Sequence, residues 1–194
     1  MGRERLAQGK KNASRLGAHI LFVDESGFML IPPVRRTWAP KGSTPITVHR
    51  FSHSRVSAIS AVSVSPVNKR LSLYYHLSRD NIRSADVAFF VRELLRTIPG
   101  HIIVLWDNSV THRGALVREL DRTRERLHIE YFPAYAPELN PDERVLSQLK
   151  ELLANGRPDD VAELEDHLLS SLVDIRSSQS RLRACVHKSD LPLF

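Results

Sequence analysis

The sequence predicts an α/β fold: a mixed five-stranded sheet flanked by helices. Two runs, Ala18-His19-Ile20-Leu21-Phe22-Val23 and His101-Ile102-Ile103-Val104-Leu105-Trp106, are almost wholly apolar and β-compatible, as in strands buried on both faces. Val56 to Val64 and Leu71 to Tyr75 read as strands joined by the turn Pro66-Val67-Asn68-Lys69. Beyond them, segments of helical period alternate with strands, so hairpin pairs would be antiparallel and helix-separated pairs parallel.

Taken in order, residues 1–17 read as a basic leader and residues 18–177 as one folded domain. The first strand closes at Asp24, Ser26-Gly27 allows a turn, and Phe28 to Ile31 resumes an extended pattern that Pro32-Pro33 stops. Thr37-Trp38-Ala39 reads as a short strand and Pro40-Lys41-Gly42 as its turn. From Ser84 to Ile98 the period changes: Val87, Phe90, Val91, Leu94 and Leu95 recur at helical spacing, and Pro99-Gly100 ends the run. Arg113 to Arg126 predicts a charged amphipathic helix, and Leu127 to Phe132 a further strand. Pro141 to Leu153 predicts a helix, followed by another from Pro158 to about Ser177; residues 178–194 show no firm pattern and are expected to form a tail. Three strands in a meander, then helix, strand, helix, strand and helices is the order of an RNase H-like fold.

The chain has 194 residues, enough for one domain with a substantial core, and 42% of them are apolar. No run approaches the roughly 20 apolar residues of a membrane span, and the polar N-terminus offers no secretory signal. One cysteine, Cys185, excludes an intrachain disulfide and zinc-knuckle spacing, and suits a cytoplasmic protein. The net charge of +6 is the footprint of a nucleic-acid binder, with basic clusters at Arg3, Arg5, Lys10, Lys11 and Arg15 and again at Arg35, Arg36 and Lys41.

Asp24 and Asp107 each end an apolar strand, and Glu143 falls early in the helix that Pro141 opens. A carboxylate at such a position is costly to bury unless it is paired or meets a cation. Asp107 leaves its strand at the carboxyl edge, where α/β sheets tend to place sites; Asn108 and His112 follow it. Each acid also has a plain structural reading, as a turn carboxylate or a helix-dipole partner. Glu25 ranks behind Asp24 because strand alternation sends it to the opposite face. Asp142 and Glu143 point about 100° apart on their helix, so one of the two faces the site. Two strand carboxylates and one helix carboxylate can hold two Mg²⁺ ions about 3.5–4 Å apart for in-line phosphoryl displacement.

The segments His19 to Phe28, Arg36-Thr37-Trp38-Ala39-Pro40-Lys41-Gly42, Asp107-Asn108 with His112, and Ala136-Pro137-Glu138-Leu139-Asn140-Pro141-Asp142-Glu143 together resemble the DDE endonuclease domain of IS630-type transposases, in the Tc1/mariner superfamily. The likeness runs from His19 to about Lys150. It implies that Asp24, Asp107 and Glu143 are the catalytic metal ligands, with Asp24 bridging two Mg²⁺ ions, or Mn²⁺ in their place. It implies cut-and-paste movement of DNA, with Arg35, Arg36, Trp38, Lys41, Asn108 and His112 near the DNA. Asp142 stands where the family usually has an aliphatic residue, and Leu146 where an aromatic is common.

The resemblance also implies a homodimer that pairs transposon ends and engages target DNA in a bacterial nucleoid. Family members usually carry helix-turn-helix domains that read those ends; none is evident before Ala18, so a separately encoded subunit is one expectation. The alternatives are an inactive DNA-binding remnant and an RNase H-like nuclease acting on hybrids.

Overall fold

The computed structural model describes residues 11–31, 38–43, 54–133, 136–154 and 158–189. Arg3, Arg5, Lys10, Arg35, Arg36 and Thr37 lie outside the described residues. Five strands form one sheet: β1 (His19–Met29), β2 (Arg55–Val64), β3 (Leu71–Ser78), β4 (Ile102–Trp106) and β5 (Leu127–Tyr131), in the spatial order β3-β2-β1-β4-β5. The meander β1-β2-β3 pairs antiparallel, while β4 joins β1 and β5 joins β4 in parallel. The mixed sheet expected from the sequence is therefore present.

Helix α1 (residues 11–16) precedes β1. Helix α2 (Ser84–Thr97) connects β3 to β4, and α3 (Ala115–Thr123) connects β4 to β5. These two cover one face of the sheet, packing on Leu21, Val23, Ile59, Val104 and Trp106. Gly114, at the start of α3, approaches Ser84 so closely that any Cβ there would collide with the serine side chain. On the other face, α4 (Pro141–Leu152), α5 (Val161–Ser177) and α6 (Gln179–Lys188) pack on Phe22, Val62, Leu73, Ile103 and Leu105. Because β1 and β4 are central and covered on both sides, their apolar runs are continuous rather than alternating.

Three expectations change. The turn allowed at Ser26-Gly27 is absent: β1 continues to Met29 because Asp24, Glu25, Ser26 and Gly27 keep their β2 partners Ser60, Ile59, Ala58 and Ser57. Pairing with β4 stops at Phe22 opposite Leu105, so Asp24 lies where one side of a continuing strand has lost its neighbour. The short strand expected at Thr37-Trp38-Ala39 is not seen at residues 38–40, whereas the turn at Lys41-Gly42 forms, with Gly42 at φ +86°. Most consequentially, the expected tail contains α6, whose Leu182, Cys185 and Val186 are buried in the core. Among the described residues, no helix is long and apolar enough to cross a membrane.

Candidate active site

Register brings two of the acids together. Phe22 stands opposite Leu105 on adjacent parallel strands, so two residues further on Asp24 is level with Asp107, and both share the face of Phe22. Asp107 is the first residue beyond β4. The third acid arrives on α4. Asn140 caps that helix by accepting from the Asp142 N–H at 3.0 Å, Pro141 fills the first turn, and Glu143 follows. The same Asn140 donates through Nδ2 to the Val23 carbonyl at 3.1 Å, fixing the start of α4 against β1.

Asp24, Asp107 and Glu143 line one cleft of about 640 Å³ together with Glu25, Asn108 and Asn140. One face of α4 supplies its wall through Glu143, Leu146, Ser147 and Lys150, spaced at helical intervals. Among the described residues, no three acid, histidine or cysteine side chains are gathered tightly enough to enclose a metal ion. The acids share a cleft without forming a closed cage.

Electrostatics separate their roles. Burial pushes the Asp24 carboxyl up to about 7; the Glu25 backbone N–H bonded to it works the other way, and the negative charges of Glu25, Glu143 and Asp107 add to the rise. Asp107 is held below the ordinary carboxylate range by its hydrogen bond from His112, against its partial burial. His112 is fully buried, and its ring stacks on Trp106 with centroids 4.4 Å apart and planes 5° apart. Its Nδ1 donates to the Asp107 backbone carbonyl at 3.0 Å and lies 2.7 Å from Asp107 Oδ1, and its Nε2 donates to the two Glu25 oxygens at 2.8 and 2.9 Å. Burial opposes a charge on this ring, but the bonds to Asp107 and Glu25 outweigh it and raise the imidazole to about 10.

Asp142 and Glu143 part company as their helical angle requires. Asp142 is 0% exposed beneath the cleft, where its Oδ2 accepts from the Ser60 hydroxyl at 2.7 Å. Burial raises its carboxyl well above the usual range. Glu143 is the acid that reaches the cleft.

The other expected residues are scattered. Asn108 lines the cleft. His112, expected near DNA, has a side chain only 1% exposed and meets carboxylates instead. Trp38 is 100% exposed and Lys41 is also exposed; neither is among the cleft's lining residues. Arg35 and Arg36 lie outside the described residues. Glu25 follows strand alternation, sharing the parity of Val23, yet His112 holds its carboxylate at the cleft rim. Sequence reasoning ranks Glu25 only second, names Asn140 only within a longer segment, and does not single out Lys150. Asn140 carried a readable signal, an asparagine directly before the proline that opens a helix.

A family model described as DDE superfamily endonuclease matches residues 19–165. No curated protein gives a significant match. Among solved structures, the Mos1 strand transfer complex is similar at a TM-score of 0.57 and 18% identity, over 98% of this chain and 62% of that one. The mariner Mos1 paired end complex with Mg is similar at 0.58 and 20%, over 96% and 62%. The catalytic domain of Mos1 mariner transposase taken alone is similar at 0.52 and 18%, over 96% of this chain and 92% of that one. The present chain thus spans about 62% of the length of the Mos1 chains in those complexes. At such identities the likeness is one of fold, and it agrees with the RNase H-like order of strands and helices.

Proposed function

Because this chain belongs to the DDE superfamily endonucleases, we propose that it is the catalytic domain of an IS630-type, Tc1/mariner transposase that cleaves and joins DNA strands in cut-and-paste transposition. The observation that carries this reading is the meeting of Asp24, Asp107 and Glu143 in one cleft from two strands and a helix.

The donor set suits a hard divalent cation. Carboxylate oxygens are the ligands Mg²⁺ and Mn²⁺ prefer. Asp24, raised to about 7 by burial and by its acidic neighbours, is a carboxylate whose charge lacks compensation. Two Mg²⁺ ions, or Mn²⁺ in their place, would there supply nucleophile activation and stabilisation of the leaving oxygen. Asp24, Asp107 and Glu143 are the residues that would hold the ions. Asn140 sets the distance between β1 and α4. Asn108 and Lys150, both on the cleft wall, would meet the sugar-phosphate backbone. Trp38 and Lys41, both exposed, remain candidates for DNA contact away from the cleft.

The partners in this reading are transposon-end and target DNA, a second copy of the chain in the synaptic assembly, and a helix-turn-helix subunit or domain for end recognition. Its setting is the bacterial cytoplasm at the nucleoid. The test is nicking of DNA carrying the element's ends, with Mg²⁺ or Mn²⁺, by the wild-type chain and by Asp24→Ala. Metal-dependent nicking that the substitution abolishes supports the proposal. Undiminished nicking by Asp24→Ala refutes the site, salt-dependent DNA binding without any cleavage identifies an inactive remnant, and preferential cutting of RNA–DNA hybrids identifies a nuclease of the RNase H type.

A further inference from the structure

Glu25 and His112 are not among the three acids assigned above, yet they are bonded to each other beside the cleft. The two residues are far apart in sequence and belong to different elements, β1 and the single 3-10 turn after β4 (Thr111–Arg113). Trp106 fixes the plane of the imidazole by stacking. That leaves the ring's two nitrogens facing different carboxylates, Asp107 on one side and Glu25 on the other. Each nitrogen therefore donates, and neither is free to act as a base or a metal ligand.

The path of this bridge follows from the sheet. Strand alternation puts Asp24 on the α4 face and Glu25 on the α2–α3 face. Pairing between β1 and β4 has already ended at Phe22 and Leu105. His112 occupies the gap beyond, reaching Glu25 on β1 and Asp107 just after β4. Two consequences follow. Asp107 Oδ1 is engaged by the imidazole, which leaves its second oxygen for a ligand. Glu25, next in sequence to Asp24, has both oxygens within hydrogen-bonding range of one N–H, which turns its carboxylate toward the imidazole.

Resting on the metal-site reading above, we propose that Glu25 and His112 form a positioning clamp that orients Asp107 for metal binding and keeps Glu25 out of the ligand set. Partners of metal-ligating groups commonly change metal affinity or activity by about 10–100-fold when removed. In this clamp Glu25 acts only through His112.

The test titrates Mn²⁺ calorimetrically into the full chain as wild type, Glu25→Ala, Glu25→Gln, His112→Ala, the Glu25→Ala/His112→Ala double variant and Asp24→Asn, with nicking kinetics alongside. The clamp predicts that Glu25→Ala and His112→Ala each weaken Mn²⁺ binding and lower kcat by about 10–100-fold. The number of ions bound and KM for DNA should stay at wild-type values. Glu25→Gln, which keeps an acceptor for the imidazole, should recover most of the affinity, and the double variant should fall no further than His112→Ala. Loss of one bound ion in Glu25→Ala would make Glu25 a ligand and overturn the clamp; additive losses in the double variant would do the same. Should His112→Ala melt below the assay temperature, the ion count in Glu25→Ala and its recovery in Glu25→Gln decide the matter. If wild-type binding responds to Asp24→Asn but not to either clamp variant, the clamp alone fails. If wild type binds no Mn²⁺ that Asp24→Asn weakens, the metal-site reading fails and the clamp with it.

Discussion

The Nδ2 of Asn140 donates to the carbonyl oxygen of Val23 at 3.1 Å, tying the first turn of α4 to the residue that precedes Asp24. One side chain thus caps the helix that carries Glu143 and anchors it to the strand that carries Asp24. Asn140→Ala should lose the cap and leave the Val23 carbonyl short of a donor, costing about 2–4 kcal/mol in denaturant unfolding. Asn140→Ser separates the two roles. Its hydroxyl can still accept from the Asp142 N–H, but it is too short to reach Val23. That variant should keep most of the stability and still show a reduced kcat for nicking. Equal activity in Asn140→Ser and wild type would show that the tie to β1 does not set the acid geometry.

Asp24 should make stability depend on pH with a definite sign. Its folded carboxyl is raised to about 7 from the ordinary aspartate value of 3.8, so between those values the native state binds more protons than the unfolded chain. Stability therefore falls as pH rises through that window, by up to roughly 4 kcal/mol, and levels off above it. Asp24→Asn removes the titration. Thermal melts should show the variant gaining on wild type from pH 4 to pH 8. Added Mg²⁺ or Mn²⁺ should raise the wild-type Tm at pH 8 more than at pH 5 and leave the variant nearly unmoved. An Asp24→Asn protein with the wild-type pH profile would contradict this account.

Much of this arrangement was legible in the sequence because a buried central strand leaves a plain mark. The runs ending at Val23 and Trp106 located β1 and β4, and their parallel register put Asp24 beside Asp107. What local patterning could not reveal was where one strand outlasts its neighbour. β1 continues through Ser26-Gly27 because β2 keeps pairing with it, a long-range fact that no local window contains. His112 is ambiguous in the sequence for a related reason. A histidine six residues past a strand end reads equally as a surface residue or a carboxylate partner until the tertiary fold brings Glu25 and Trp106 to it. Glu25 itself was set aside by a sound alternation argument that holds for the backbone but not for what the side chain meets. Helix α6 did leave a mark, with Leu182, Cys185 and Val186 at helical spacing. Its ten residues have charged positions on either side, so three apolar ones gave too short a period to read.

The two neighbouring acids of α4 should respond oppositely to neutralisation. Asp142 is buried and bonded to Ser60, and burial raises its carboxyl, so Asp142→Asn keeps an acceptor for that hydroxyl and removes the cost of ionising a buried acid. Its stability at pH 8 should match or exceed wild type, with nicking retained. Glu143→Gln, on the cleft wall, should change stability by no more than about 0.5 kcal/mol. It should lower kcat by about 100-fold or more, as loss of a metal ligand worth several kcal/mol requires. Parallel melts and nicking assays on the two variants check both halves. Abolished nicking in Asp142→Asn alongside an active Glu143→Gln would reverse the assignment.

Helix α6 should be indispensable to the domain although nothing in it touches the cleft. Leu182, Cys185 and Val186 are buried against the core that α4, α5 and the sheet share. Gln179, at its start, accepts from the Leu71 N–H at 3.1 Å and donates to the Leu71 carbonyl at 2.7 Å, holding the beginning of edge strand β3. Leu182→Ala should therefore cost about 2–5 kcal/mol through lost burial and the cavity left behind. Gln179→Ala should cost about 1–2 kcal/mol, because the Leu71 amide and carbonyl can turn to water at the sheet edge. Both variants should retain wild-type kcat below their melting temperatures, since α4 and its Glu143 rest on α6 without sharing its polar contacts. A chain truncated after Ser178 loses all three buried side chains together and should fail to fold cooperatively in a thermal melt. Cooperative unfolding of that truncated chain at the wild-type Tm would mean that α6 contributes no net stability to the domain.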